Sequence, residues 1–160
     1  TLGIPLVSHD DDSPEKVREM YDLGVRVSEF PMDLEAGLEA RQLGMAALVG
    51  APNVVRGRSQ SNGVSALEAL SNGAANCLCS DYIPATILPA VFRIAELLDW
   101  GLAEAAALAT SNPADAIGLN DRGRIAEGML ADLVSLRCDR GVPEVSGVWV
   151  NGVRKLSREL

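Results

Sequence analysis

The sequence predicts an α/β body followed by a small β appendage. Three observations carry that expectation. Short apolar strands alternate with amphipathic helices along the first part of the chain. Each of those strands runs into polar residues at its C-terminal end, where parallel α/β folds collect their ligands. From about Asp121 the helical pattern gives way to strand and turn signals.

Ile4 to Ser8 reads as a short apolar strand leading into Ser8-His9-Asp10-Asp11-Asp12. Ser13 then suits an N-cap, with Pro14 at the first helical position. Val17, Met20 and Tyr21 give that helix one apolar face, and Gly24 stops it. Val25 to Phe30 is the second strand, closed by Pro31. Asp33 caps a second helix carrying Leu34 and Leu38 and ending at Gly44. Met45 to Val49 is the third strand. Ala51 to Gly63 reads as a thirteen-residue polar loop. Val64, Leu67 and Leu70 mark a third helix, stopped at Asn72-Gly73. Asn76 to Ser80 is the fourth strand, followed by Asp81-Tyr82.

The next segment is helical. Ile87, Val91, Ile94, Ala95 and Leu98 form a long amphipathic stretch, with Pro89 in or near its first turn. Leu102 to Ala109 is rich in the strongest helix former. Asn112-Pro113 begins a short helix that Gly118 ends. In the tail, Leu130 to Leu136 reads as a strand. Val148 to Arg154 reads as a hairpin, because Asn151-Gly152 suits a type I′ turn.

Four β/α units fit either a small open doubly wound sheet or one half of an eight-stranded barrel. Four parallel strands cannot close a barrel alone, and an unclosed sheet leaves two exposed edges. A half-barrel needs strands from upstream sequence or from a partner. The chain opens on Thr1 rather than Met, directly before a strand, which points to something upstream.

Composition narrows the function. With 48% hydrophobic and 22% charged residues, the chain is a folded domain rather than a disordered segment. A net charge of -8 and no Lys/Arg-rich stripe argue against a nucleic-acid surface. No apolar stretch reaches membrane-span length, so no membrane partner is expected. Three cysteines, an odd number without a disulfide framework, point to a reducing, cytoplasmic setting. Cys77 and Cys79 lie two apart and share one strand face, as packed thiols rather than ligands. The single histidine excludes a self-contained His-rich metal site.

The candidate chemistry sits at the strand ends. His9 suits a metal ligand oriented by a neighbouring acid, or a loop histidine beside a solvated acidic cluster. Asp81 suits a metal ligand and proton acceptor, or a helix cap. In the long loop, backbone amides with Arg56 and Arg58 could hold phosphate oxygens, although no P-loop pattern is present. Glu29 reads as a structural carboxylate. Ser8 adjoins the only histidine, and strand neighbours point apart, so no Ser-His-Asp triad is available.

Several segments together carry a family resemblance. Ser8-His9-Asp10-Asp11, Ser28-Glu29-Phe30-Pro31, Gly50-Ala51-Pro52-Asn53-Val54-Val55-Arg56-Gly57 and Ser80-Asp81-Tyr82-Ile83-Pro84 occur in this order. Thr110 to Ala114, Gly118 to Gly123 and Gly128 to Val134 follow. The chain resembles the PhnM-like phosphonate-metabolism proteins of the amidohydrolase superfamily. The resemblance implies the C-terminal half of a TIM-like (β/α)8 metal-dependent hydrolase barrel over residues 1–120. Residues 121–160 would then be C-terminal β-sandwich strands.

The activity it implies is hydrolysis of a small phosphorylated sugar, α-D-ribose 1-methylphosphonate 5-triphosphate, to the 5-phosphate and diphosphate. It implies a divalent metal, Zn or Mn, with His9 as the sixth-strand ligand. Asp81 would be the eighth-strand ligand and general base. Asn53, Arg56, Ser59, Gln60, Ser61 and Tyr82 would bind substrate. Gln60 stands where that family tends to carry a histidine, and the family's His-x-His is absent. The chain alone is therefore expected to be inactive and to need a missing N-terminal half or homo-oligomer contacts. The rival readings are an amidohydrolase or deaminase acting on a C–N bond, and a non-catalytic α/β binding module.

Overall fold

The computed structural model describes residues 4–57, 63–139 and 142–157. Its body alternates strand and helix: β1 (Val7–His9), α1 (Pro14–Asp22), β2 (Val27–Glu29), α2 (Leu34–Gln42) and β3 (Ala46–Gly50). Two short helices follow, α3 (Ala51–Arg56) and α4 (Ala66–Ser71), then β4 (Cys77–Cys79). The four strands are parallel and stand in sequence order, β1-β2-β3-β4.

Local chemistry sets these boundaries. Ser13 Oγ accepts the Lys16 amide at 3.3 Å and Asp33 Oδ1 accepts the Ala36 amide at 2.7 Å, satisfying first-turn donors. Gly24, Gly44 and Gly73 take left-handed conformations just beyond the helix ends.

One expectation needs correction. The stretch from Ala51 is not a loop throughout, because Ala51–Arg56 is helical. Pro52 lies in the first turn, where its missing N–H removes no helical hydrogen bond. Ala51, Pro52 and Val54 are buried, and Gly57 ends the helix at φ +76°. Pro, Asn and Arg letters hid a short helix with one buried face.

Beyond β4, a 3-10 turn (Pro84–Thr86) leads into α5 (Ile87–Leu97), followed by α6 (Leu102–Ala107) and α7 (Ser111–Ala116). The tail forms a separate antiparallel sheet of β5 (Leu133–Asp139), β6 (Val142–Val150) and β7 (Val153–Ser157). Asn151 at φ +50° and Gly152 at φ +75° make the expected turn between β6 and β7. β6 reaches back to Val142, so it also pairs along β5, past an irregularity between Ser135 and Leu136. The anticipated hairpin is thus part of a three-stranded sheet.

The core is one-sided. Ala47, Val49 and Leu78 face the helices, where they pack with Val17, Ala36, Ala40, Ala69 and Ile94. The alternate residues Val27, Ala46 and Cys77 form a thin cluster on the opposite face, touched by Ala116 of α7. At the β4 side, the Leu78 amide donates to Leu108 O at 2.8 Å, and Asn112 Nδ2 donates to Asn76 O at 2.8 Å. That edge is therefore partly covered. β1 ends the sheet on the other side, beside Ile4, Leu6 and Val7, which are exposed. Among the described residues no helix is long and apolar enough to cross a membrane. The three cysteines are free.

Candidate active site

The C-terminal ends of the parallel strands form a rim. Three non-glycine residues on it adopt left-handed backbone: Asp10 after β1 (φ +55°), Phe30 after β2 (φ +58°) and Asp81 beyond β4 (φ +51°). Asp tolerates this conformation, but at the aromatic Phe30 it costs on the order of 1–2 kcal/mol, and strain of this kind gathers at functional sites. A cavity of about 240 Å³ opens between them, lined by His9, Asp10, Phe30, Asn53 and Asp81 among others.

His9 is the last residue of β1 and stands in register with Glu29 of β2. Its Nδ1 lies 3.0 Å from Asp10 Oδ2, so the neighbouring acid orients the ring and Nε2 is the atom for a further ligand. The ring stands edge-on to Phe30, with centroids 5.3 Å apart and planes at 84°. Asp81 reaches the same cavity from the opposite end of the sheet and is exposed. An imidazole and a carboxylate are suitable donors for a divalent cation. Their number falls short of a complete site. Among the described residues, no group of three or more His, Cys, Asp and Glu side chains is arranged to hold an ion.

The strand order revises one assignment. With no strand skipped between β1 and β4, Asp81 at an eighth strand puts His9 at the end of the fifth. Glu29 then ends the sixth. His9 cannot take the sixth-strand place while Asp81 keeps the eighth.

Glu29, read from the sequence as a structural carboxylate, ends β2 beside Cys79, whose Sγ donates to Glu29 Oε1 at 3.8 Å. Burial pushes the Cys79 thiol up to about 11, and the charge of Glu29 adds to the effect. Burial likewise raises Cys77 to about 11, against the opposing pull of Arg41. Both sulfurs are therefore protonated near neutrality, as packed thiols.

The substrate-binding candidates divide three ways. Asn53 lines the cavity, though from α3 rather than from a loop. Arg56 Nη2 donates to Tyr82 Oη at 3.3 Å, so these two exposed side chains meet. Ser59, Gln60 and Ser61, with Arg58, lie outside the described residues. The Gly57 amide donates to Asn53 O at 2.9 Å, so that amide belongs to the end of α3 and not to a phosphate cradle. Phe30, which the sequence places only at a strand end and in a family segment, has no site role there. Its only signal was a bulky residue between a strand and a proline.

A parallel β/α sheet with a polar rim and a separate antiparallel sheet define the chain as an α/β protein with a β appendage, and residues 15–154 match the amidohydrolase family, to which the chain belongs. Over 153 residues it is 43% identical to the alpha-D-ribose 1-methylphosphonate 5-triphosphate diphosphatase of Escherichia coli (strain K12). That similarity covers 94% of this chain and 40% of the relative, so the chain spans well under half of the relative's length. Solved structures share the fold. An amidohydrolase from Thermotoga maritima MSB8 is similar at TM-score 0.72 and 22% identity, over 96% of this chain and 44% of that one. The ochratoxinase of A. niger is similar at TM-score 0.71 and 18% identity, over 98% of this chain and 43% of that one.

Proposed function

We propose that this chain forms part of a cytoplasmic diphosphatase that hydrolyses α-D-ribose 1-methylphosphonate 5-triphosphate to the 5-phosphate and diphosphate. The observation that carries this reading is the 43% identity, over 94% of this chain, to a protein named for that activity. In this reading residues 1–120 are the barrel portion and 121–160 the sandwich strands. The exposed β1 edge and the partly covered β4 edge are where the remaining strands, from an N-terminal half or a second copy, would join.

His9 through Nε2 and Asp81 through its carboxylate would be this chain's donors to a divalent metal, Zn or Mn. Such an ion supplies Lewis acidity and a water of lowered pKa. Asp81 accepts the proton of the attacking water at a carboxylate oxygen. Asp10 holds the His9 ring through Nδ1. Arg56 neutralises charge on the phosphoryl oxygens, steadied by the Tyr82 hydroxyl. Asn53 donates its amide to the substrate at the cavity wall. Ser59, Gln60 and Ser61 would complete the phosphate contacts, with Gln60 acting as a neutral hydrogen-bonding group.

A chimera tests this. The matching segment of the E. coli relative is replaced by this chain, and release of diphosphate from the ribose triphosphate is measured. Activity that Asp81→Asn abolishes is the expected result. A folded chimera that releases ammonia from C–N substrates, or that binds the triphosphate without cleaving it, would overturn the proposal.

A further inference from the structure

Asp11 is a buried acid that the proposed reaction does not use. It is 1% exposed, and among the described residues no ion pair reaches it. An ionised carboxylate so enclosed is costly unless hydrogen bonds replace its water. Two do. Ser8 Oγ donates to Asp11 Oδ2 at 2.6 Å, and Ser28 Oγ donates to the same oxygen at 2.5 Å. Both serines are themselves buried, at 8% and 0% exposure. They are register partners on β1 and β2, each one residue before a rim side chain: Ser8 before His9, and Ser28 before Glu29.

The main chain repeats the connection. The Met32 amide donates to Asp11 O at 2.9 Å, and the Asp10 amide donates to Glu29 O at 2.9 Å. Asp11 therefore grips two strand ends from behind the sheet, where both hydroxyls point toward the helix layer. The two left-handed residues, Asp10 and Phe30, sit within this bracket. Neither would hold φ near +55° without surrounding structure that fixes it.

We infer that Asp11 is a positioning residue. Its single oxygen draws the Ser8 and Ser28 hydroxyls together, locks the two left-handed turns, and so sets the edge-on packing of His9 against Phe30 at the cavity mouth. The inference concerns the site's geometry and holds whatever reaction the site performs.

Residues 1–160 hold one histidine, so segmental isotope labelling of this stretch within the chimera isolates one imidazole Cε1–H resonance. The Phe30 ring, perpendicular to the imidazole with centroids 5.3 Å apart, displaces that resonance by its ring current, and Phe30→Leu supplies the undisplaced reference. Asp11→Ala is expected to move the signal most of the way to that reference. Asp11→Asn, which keeps an acceptor oxygen, is expected to leave it near the wild-type position. Circular dichroism and the β3 and β4 amide signals report that each variant is folded. A folded Asp11→Ala with the wild-type resonance would overturn the inference. So would an Asp11→Asn that behaves like Phe30→Leu. If Asp11→Ala does not fold, Ser28→Ala removes one hydroxyl only. A partial displacement is expected there, and a wild-type resonance would again overturn the inference.

Discussion

Arg56 of α3 donates through Nη2 to the Tyr82 hydroxyl at 3.3 Å, joining the helix after β3 to the turn after β4. In the proposed diphosphatase this pair meets the triphosphate. A hydrogen bond to a charged group contributes about 1.5–3 kcal/mol. Arg56→Gln in the chimera should therefore lower kcat/KM by roughly tenfold to a hundredfold. Tyr82→Phe, which removes a neutral partner, should cost only about a fewfold. Equal losses in both variants would argue that Tyr82, not Arg56, makes the main contact.

Gly37 illustrates a conflict between local and tertiary preference. In a helix interior, Gly→Ala ordinarily stabilises by about 1 kcal/mol. Here an added Cβ would lie 2.7 Å from Ala74 O and 3.0 Å from Ala74 Cβ. The obstacle is backbone, which cannot rotate away, and overpacking of this kind costs about 1–3 kcal/mol. Gly37→Ala should lower the urea midpoint. A midpoint at or above wild type would show that α2 and the Ala74 turn can separate without loss.

The thiols should differ sharply in reactivity. A thiol titrating at about 11 is ionised at about one part in a thousand at pH 8, so Cys77 and Cys79 should resist alkylation in the folded chain. Cys138 is exposed and should react first. Intact mass after brief iodoacetamide treatment should show a single adduct. Two or three adducts before unfolding would contradict the burial of the β4 sulfurs.

Acid sensitivity should run partly through α7. Arg124 grips Asp115 with hydrogen bonds of 3.1 and 2.7 Å and holds its carboxyl below the ordinary 3.8. A depressed carboxyl pKa adds stability above the unfolded-state value, and that stability is lost as pH falls through the folded-state value. Wild type should lose stability faster than Asp115→Asn below about pH 4. Thermal melts across that range would show parallel pH profiles if the pair has no energetic role. The contribution is small at this exposed position and should shrink further in high salt.

What could be read from the residues depended on how local the causes were. Ser13-Pro14, Asp33 and Asn151-Gly152 set their caps and turn through neighbours in sequence, and each boundary was legible. α3 was not, because its buried face of Ala51, Pro52 and Val54 exists only once α5 packs nearby; in sequence its Pro and Asn look like turn residues. The site divided in the same way. His9 and Asp81 stood out as chemistry at strand ends, and they line one cavity. Phe30 and Asp11 did not, since a left-handed aromatic and a carboxylate turned behind the sheet depend on contacts between β1 and β2. The strand position of His9 likewise required the sheet order.

That sheet order has a further consequence. Each parallel strand lies beside the one made just before it, so every pairing among the described strands of the body joins neighbours in sequence. The pairings join residues 19 to 29 apart in the chain, from Val27↔Ala46 to Leu48↔Cys77, and the entropy of closing such loops grows only slowly with length. As the chain leaves the ribosome, β2 can dock on β1, β3 on β2 and β4 on β3, each bringing its own helix to the growing core. The body's strands can be laid down in the order of synthesis, and Leu108, reaching back to Leu78, then covers part of the newest edge.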